Sequence, residues 1–486
     1  MASRIRDTSL LKSQCYVNGE WIDAASGQTF AVENPSTLAE VSKCPEFDAA
    51  DTEAAIVAAH EAFKTFRHTP ARERSRMLRR WHDLMIEHID DLATILTLEN
   101  GKPLADAKTE VKYAASFYEW FSEEAPRIYG DTIQASNPSC RITTYKEPVG
   151  VCGLIAPWNF PAAMITRKVG PALAAGCTVV VKAPAEAPLS ALALAELAHR
   201  AGVPRGVFNV ITALDNTIAV GEVLTTNPII KKVSFTGSTP VGKLLMKQSS
   251  STLKKLSLEL GGNSPFIVFE DADLDSAIRG LIACKFRLSG QTCVCANRVL
   301  VQRKVYERFL ELLVDTVKTF KVGDGFAEDT THGPLIHGRA VQKVKEHVED
   351  AVSKGARVLH GGKPHSQGPN FFEITVLADM TREMRVAQEE TFGPIAAIFP
   401  FDTEEEAIEI ANDTDVGLAG YFFSKDSSRC WRVAEALEVG MVGVNVGAIS
   451  DPSAPFGGVK QSGFGREGSK YGIGEYVVTK MVMTGI

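Results

Sequence analysis

Cys293 is the residue with the most chemistry to offer in this chain. It lies within Ser289-Gly290-Gln291-Thr292-Cys293-Val294-Cys295-Ala296-Asn297-Arg298, a run of small and polar residues. Apolar segments flank it, Leu281-Ile282-Ala283 before and Val299-Leu300-Val301 after. That pattern predicts a turn, which exposes a thiol and surrounds it with backbone N–H groups that favour an anion. A nucleophilic cysteine needs both, because the thiolate reacts and an ordinary thiol titrates near pH ~8.5. Taken alone, a cysteine here is more simply a small buried apolar residue. Other segments have to decide.

Four of them set one polar group among small or rigid residues. Ala156-Pro157-Trp158-Asn159-Phe160-Pro161 fixes an amide between two prolines, and Leu258-Glu259-Leu260-Gly261-Gly262-Asn263 puts a carboxylate before a double glycine. Glu389-Glu390-Thr391-Phe392-Gly393-Pro394 offers acids and a ring, and Pro455-Phe456-Gly457-Gly458 opens a second glycine-rich loop. Each has a plain structural explanation by itself. Nucleotide chemistry is suggested by Thr236-Gly237-Ser238-Thr239-Pro240-Val241-Gly242-Lys243-Leu244, which follows a strand pattern. Leu244 stands where a phosphate loop needs a hydroxyl for magnesium, so a nucleotide hydrolase is disfavoured. A Gly-Ser turn entering a helix can still hold a pyrophosphate through its N–H groups and helix dipole. Lys182, ending Val179-Val180-Val181, is placed to meet a ribose or phosphate at a sheet crevice.

The elements that must position these groups form more than one domain, since 486 residues exceed one core. A net charge of -7 gives no electrostatic case for nucleic acid or an anionic membrane, and no long apolar run exists. Nine cysteines without framework spacing point to a reduced compartment, with the cytosol as default and a mitochondrial location left open. No metal-ligand spacing is present, so no metal role is expected.

From Asp51 to about Ile128 the pattern is helical, broken near Thr69-Pro70 and Asn100-Gly101. Residues 129–147 read as a hairpin arm, and the tail from about 470 to 486 as a strand that must pair with something. Val149–Leu154, Thr178–Lys182, Val207–Val210 and Lys232–Phe235 are strand candidates, alternating with helices such as Ser190–Ala201. A second βα series begins near Pro265–Phe269 and runs to about Phe423. Such alternation means parallel, doubly wound sheets. The expected fold is α/β: a nucleotide-binding domain (1–128 and 148–260), a catalytic domain (261–469), and a β arm and tail (129–147 and 470–486) that build a homo-oligomer, dimer or tetramer.

In this order and spacing, the segments resemble the aldehyde dehydrogenase superfamily over nearly the whole chain, from Asn18-Gly19-Glu20-Trp21 to the tail. Lys285-Phe286-Arg287, Cys293-Val294-Cys295 and Gly463-Phe464-Gly465-Arg466-Glu467-Gly468 are similar to the succinate-semialdehyde branch. The resemblance implies that Cys293 attacks an aldehyde to give a thiohemiacetal. Its oxyanion would be held by the Asn159 amide and the Cys293 N–H, and hydride loss would leave a thioester. Glu259 would activate the water that releases the acid. NAD or NADP is the implied cofactor: Lys182 at the adenosine ribose, Gly237 and Ser238 at the pyrophosphate, Glu390 at the nicotinamide ribose, with Phe392 and Trp158 beside it. Ala185 stands where NAD-preferring members carry a glutamate, with Glu186 one place later, which inclines the reading to NADP or dual use.

Arg167 and Arg287 match that branch's carboxylate-binding arginines, and Ser450 its loop serine, with Phe456 nearby. Asp451 departs from the pattern and puts a negative charge near a substrate carboxylate. Cys295 matches a cysteine that, in some members, forms a strained disulfide with the nucleophile as a redox switch. The expected substrate is therefore a small semialdehyde acid, first of all succinate semialdehyde. Glutarate semialdehyde or an aliphatic aldehyde is the alternative. A catalytically silent binding protein on the same fold would lack Cys293, Glu259 or Asn159, and all three are present.

Overall fold

The computed structural model describes residues 4–486. Its first sheet has eight strands in the spatial order Glu20–Ile22, Cys15–Val17, Phe208–Ile211, Thr178–Lys182, Val151–Ile155, Ile230–Thr236, Lys255–Glu259, Gly463–Phe464. The five from Phe208–Ile211 to Lys255–Glu259 are parallel. Thr178–Lys182 is buried at every position, as a parallel strand covered by helices on both faces should be. Chain order reverses at Val151–Ile155: the next two strands lie to one side of it and the following two to the other. In a doubly wound sheet, that reversal opens a crevice beyond the carboxyl ends of the strands on either side. Asn159 and Gly237 follow those two strand ends.

The second sheet has seven strands: Arg357–His360, Thr375–Ala378, Ile395–Phe401, Arg298–Gln302, Pro265–Val268, Ala419–Phe423, Met441–Val444. All pairs are parallel except the first. Its βα series extends past Phe423 to Val444. The chain then returns to the first sheet, where Gly463–Phe464 pairs with Leu258 and Glu259. The arm strand Cys140–Pro148 pairs with Thr132–Ile133 on one side. On its other side lies the tail strand Val477–Gly485, antiparallel over nine residue pairs. So the strand lies within the expected tail, and its partner is the arm of the same chain.

The helical region is Ala49–Phe66, Ala71–Glu87, Ile89–Asn100 and Leu104–Glu124. Two breaks fall at the prolines and at Gly101, whose left-handed φ of 81° suits glycine. A third, at His88, has no Gly or Pro to announce it. The Asn100-Gly101 break positions the site, because Asn100 donates to the Trp158 carbonyl at 2.8 Å and Lys102 to the Asn159 carbonyl at 2.9 Å.

Arg298 anchors the strand that follows the cysteine turn. Fully buried, it donates to the carbonyls of Asn263, Ile410 and Ala411 and meets no carboxylate within ion-pair distance among the described residues. Burial lowers its pKa to about 10. Replacing it by methionine strands three carbonyls. At ~1–3 kcal/mol for an unsatisfied buried group, Arg298→Met should lower the unfolding free energy by about 3 kcal/mol or more, read as a shift in urea midpoint.

Candidate active site

A cavity of about 430 Å³ opens where loops from the first sheet face the second. Trp158, Asn159, Gly237 and Ser238 line it from one side, and Cys293, Glu390 and Phe392 from the other. Arg167, Arg287, Ser450 and Phe456 complete one end. Glu259, Lys182, Ala185 and Cys295 are off the wall. Glu259 lies just behind Leu260 and Gly261, which are on it.

The cysteine turn is held by polar bonds rather than by regular structure. Leu288 and Ser289 have φ of 50° and 51°, followed by Gly290 at 79°. Left-handed geometry costs non-glycine residues roughly 1–2 kcal/mol each, so the surroundings must impose it. Ser289 Oγ donates to the Gly333 carbonyl at 2.7 Å. The Gln291 amide donates to the Leu288 carbonyl at 3.1 Å and accepts from the Ile336 N–H at 3.0 Å. Asn159 Nδ2 then donates to the Gln291 carbonyl at 3.1 Å while its oxygen accepts from the Phe160 N–H. These bonds fix the orientation of the Asn159 amide and leave one of its two hydrogens for a ligand. Gly262 is required for a different reason: a Cβ there would lie 2.6 Å from the Cys293 carbonyl oxygen.

Charge behind the cavity is concentrated and buried. Arg167 pairs with Glu467, stacks over Phe456 at 4.1 Å and donates to Met164 Sδ. Lys168 reaches the other Glu467 oxygen at 2.5 Å. Burial would raise the Glu467 carboxyl, but the two cations outweigh it and hold it well below the usual range. Glu259 is the opposite case. Burial, reinforced by Glu467, raises its pKa well above the ordinary value, and neither oxygen has a hydrogen-bond partner among the described residues. Glycine at 457 leaves room for it, since a Cβ there would sit 2.8 Å from Glu259 Oε1. Burial pushes the partly buried Cys293 thiol up to about 12, opposed by Arg167 and reinforced by Glu390 and Glu259.

Arg287, unlike Arg167, is exposed and has no carboxylate within ion-pair distance among the described residues; it lies over Phe160 at 4.8 Å. Tyr113, on the helix Leu104–Glu124, lines the same end and faces Arg167, Arg287 and Ser450. Asp451 does not line the cavity; it is exposed and closes its own loop by accepting from the Ser453 N–H at 2.8 Å.

The opposite end fits a dinucleotide. Ser238 caps the helix Thr239–Ser249 with extended backbone and no side-chain cap, so the N–H groups of that first turn are free for an anion. Glu390 accepts weakly from the Gly262 N–H at 3.3 Å, and burial raises it to about 7. The Phe392 ring stands edge-on to Trp158 at 5.7 Å. Lys182 is buried without a hydrogen-bond partner among the described residues, and burial lowers it to about 8 against the pull of Glu186 and Glu46. No carboxylate lies within ion-pair distance of Lys182 among the described residues, and Ala185 adds none, which leaves the amine open to an extra phosphate even with Glu186 and Glu46 nearby.

The sequence pattern of the aldehyde dehydrogenase family matches residues 21–482. The chain belongs to the aldehyde dehydrogenase family. It is 59% identical to "Succinate-semialdehyde dehydrogenase [NADP(+)] 1" of Schizosaccharomyces pombe, over 99% of this chain and 97% of that one. It is 57% identical to the glutarate-semialdehyde dehydrogenase of Pseudomonas putida, over 98% of each. A crystal structure of succinate-semialdehyde dehydrogenase from Burkholderia pseudomallei superimposes with a TM-score of 0.98 at 56% identity, covering 99% of this chain and 100% of that one.

Within this family site, Gln291, Glu467, Lys168 and Tyr113 were not singled out by sequence reasoning. Gln291 and Glu467 stand in the cysteine turn and the late glycine-rich segment, where a polar residue next to a glycine was the available signal. Tyr113 sits in an Ala-rich helix and had none. With the Cys293 thiol near 12, its alkylation by iodoacetamide in the free enzyme should rise about tenfold per pH unit from pH ~7 to ~9. Peptide mapping reads this directly; a plateau below pH ~9 would contradict it.

Proposed function

We propose that this chain oxidises succinate semialdehyde to succinate, with NADP preferred to NAD. The observation that carries this reading is one cavity joining a partly buried cysteine to a free cation: Cys293 on its wall and Arg287 at its end, with Ser450 and Tyr113 between the arginines. The substrate carboxylate is met by Arg287, and its aldehyde carbon is attacked by Cys293 as the thiol proton passes to water in the cavity. The free Asn159 hydrogen and the Cys293 N–H hold the thiohemiacetal oxyanion. When bound, the dinucleotide accepts the hydride released by oxidation. Gly237, Ser238 and the open helix N-terminus would hold its pyrophosphate, Lys182 its adenosine ribose or 2′-phosphate, and Glu390 the other ribose, with Phe392 and Trp158 flanking the ring. Glu259 then takes a proton from water attacking the thioester. Burial raises its pKa, and the carboxylate is the form that accepts a proton, so this step speeds up as pH rises through that raised pKa. Arg167 tunes Cys293 toward the thiolate while Glu467 offsets its charge.

The names of the relatives support both the substrate class and the lean to NADP. A five-carbon semialdehyde is the second reading, because the Pseudomonas putida relative carries that name at 57% identity. The tail strand is the edge of the arm sheet and exposes Met481 and Met483, which supports a homo-oligomer built through it. Among the described residues no helix is long and apolar enough to cross a membrane; the compartment proposed is the cytosol, on the cysteine pattern.

The test is initial rates of NADPH and NADH formation with succinate semialdehyde, glutarate semialdehyde and propanal. The four-carbon acid with NADP should give the highest kcat/KM. A charge-assisted contact of ~1.5–3 kcal/mol, reduced by solvent exposure, means Arg287→Ala should raise KM for the acid-bearing aldehydes about tenfold and leave propanal unchanged. Equal loss for propanal would overturn the pocket assignment.

A further inference from the structure

Lys285 is the last residue of the helix Leu274–Lys285 and is fully buried. Among the described residues its amine meets no carboxylate and has one hydrogen-bond acceptor, Cys295 Sγ, at 3.7 Å. Burying an amine with only a sulfur for company is costly, and nothing in the proposed reaction uses it. Cys295 is turned the same way. Its thiol donates to the Gly290 carbonyl at 3.3 Å, on the inner side of the cysteine turn, whereas Cys293 and Val294 line the cavity. The two neighbouring sulfurs therefore face different surroundings, and the group held against Cys295 is a nitrogen.

We propose that Cys295 and Lys285 form a covalent, reversible sulfur–nitrogen link when a peroxide reaches the inner side of the cysteine turn. In the first step, the Cys295 sulfur attacks one peroxide oxygen. The O–O bond breaks, sulfur gives up two electrons, and a sulfenic acid and one water form. In the second step, the Lys285 ammonium releases a proton to water and its freed nitrogen lone pair attacks that sulfur. The S–O bond breaks, one N–H proton leaves with the hydroxide as a second water, and a sulfenamide remains. One peroxide is consumed and two waters are released. A thiol reductant returns the amine and the thiol. The link takes up Cys295 before a disulfide with Cys293 can form.

The full-length enzyme is exposed to hydrogen peroxide, free thiols are blocked with N-ethylmaleimide, and the protein is cleaved with trypsin without reduction. Unmodified chain yields residues 280–285 and 288–298 as separate peptides. The expected product joins 280–287, uncut after Lys285, to 288–298. It is two hydrogens lighter than the sum, with maleimide on Cys284 and Cys293 only. Dithiothreitol should abolish it. Lys285→Met should lose the joined peptide and carry Cys295 on to the sulfinic acid. A disulfide from Cys295 to Cys293 or Cys284 in the wild-type protein, with Lys285 still cut, would overturn the proposal. So would a sulfinic acid at Cys295 beside an unmodified Lys285, and that result does not depend on the variant folding.

Discussion

The hydrogen bond from the Asn159 amide to the Gln291 carbonyl joins the two halves of the site. Asn159 follows a strand of the first sheet, and Gln291 belongs to the turn entering a strand of the second. Around this bond each partner is fixed again, Asn159 by the Lys102 amine on its carbonyl and Gln291 by the Leu288 and Ile336 backbone. The turn needs that support, because Leu288 and Ser289 occupy left-handed geometry that neither prefers. Loss of one bond would release the strain and move Cys293. Precision here comes from polar ties between loops, each loop rooted in a buried strand.

The same packing sets the electrostatics. Excluding water from the ground behind the cavity raises Cys293, Glu259 and Glu390 together. Arg167 and Lys168 could have neutralised Glu259, but Glu467 takes both cations and leaves the Glu259 oxygens without partners. A carboxyl with raised proton affinity and no fixed hydrogen bond is free to accept from a water. Arg287 stands outside this buried cluster, and its charge remains for the solvent-facing end of the cavity.

Much of this was legible in the sequence because strands and glycine-rich turns announce themselves. Thr178–Lys182 is found as drawn, and the helix Leu189–Arg200 within one residue at each end. Glycine and proline marked two of three helix breaks; the His88 break is made by packing and left no local sign. The short strands Cys15–Val17 and Glu20–Ile22 were missed, since three residues carry too little periodicity. Arg167 shows the deeper limit. A sequence motif assigns it a ligand, but only the folded chain reveals that Glu467, 300 positions later, meets its charge. Asp451 errs in the other direction, a worrying charge that turns to its own loop.

In the proposed reaction Cys293 carries the acyl group and Glu259 delivers the water that removes it. Intact-mass analysis of Glu259→Gln, mixed with succinate semialdehyde and NADP, tests it most directly. About one equivalent of NADPH should form quickly, then near-arrest, with a succinyl group mapped to Cys293. Steady turnover without an adduct, or an adduct on another residue, would contradict it.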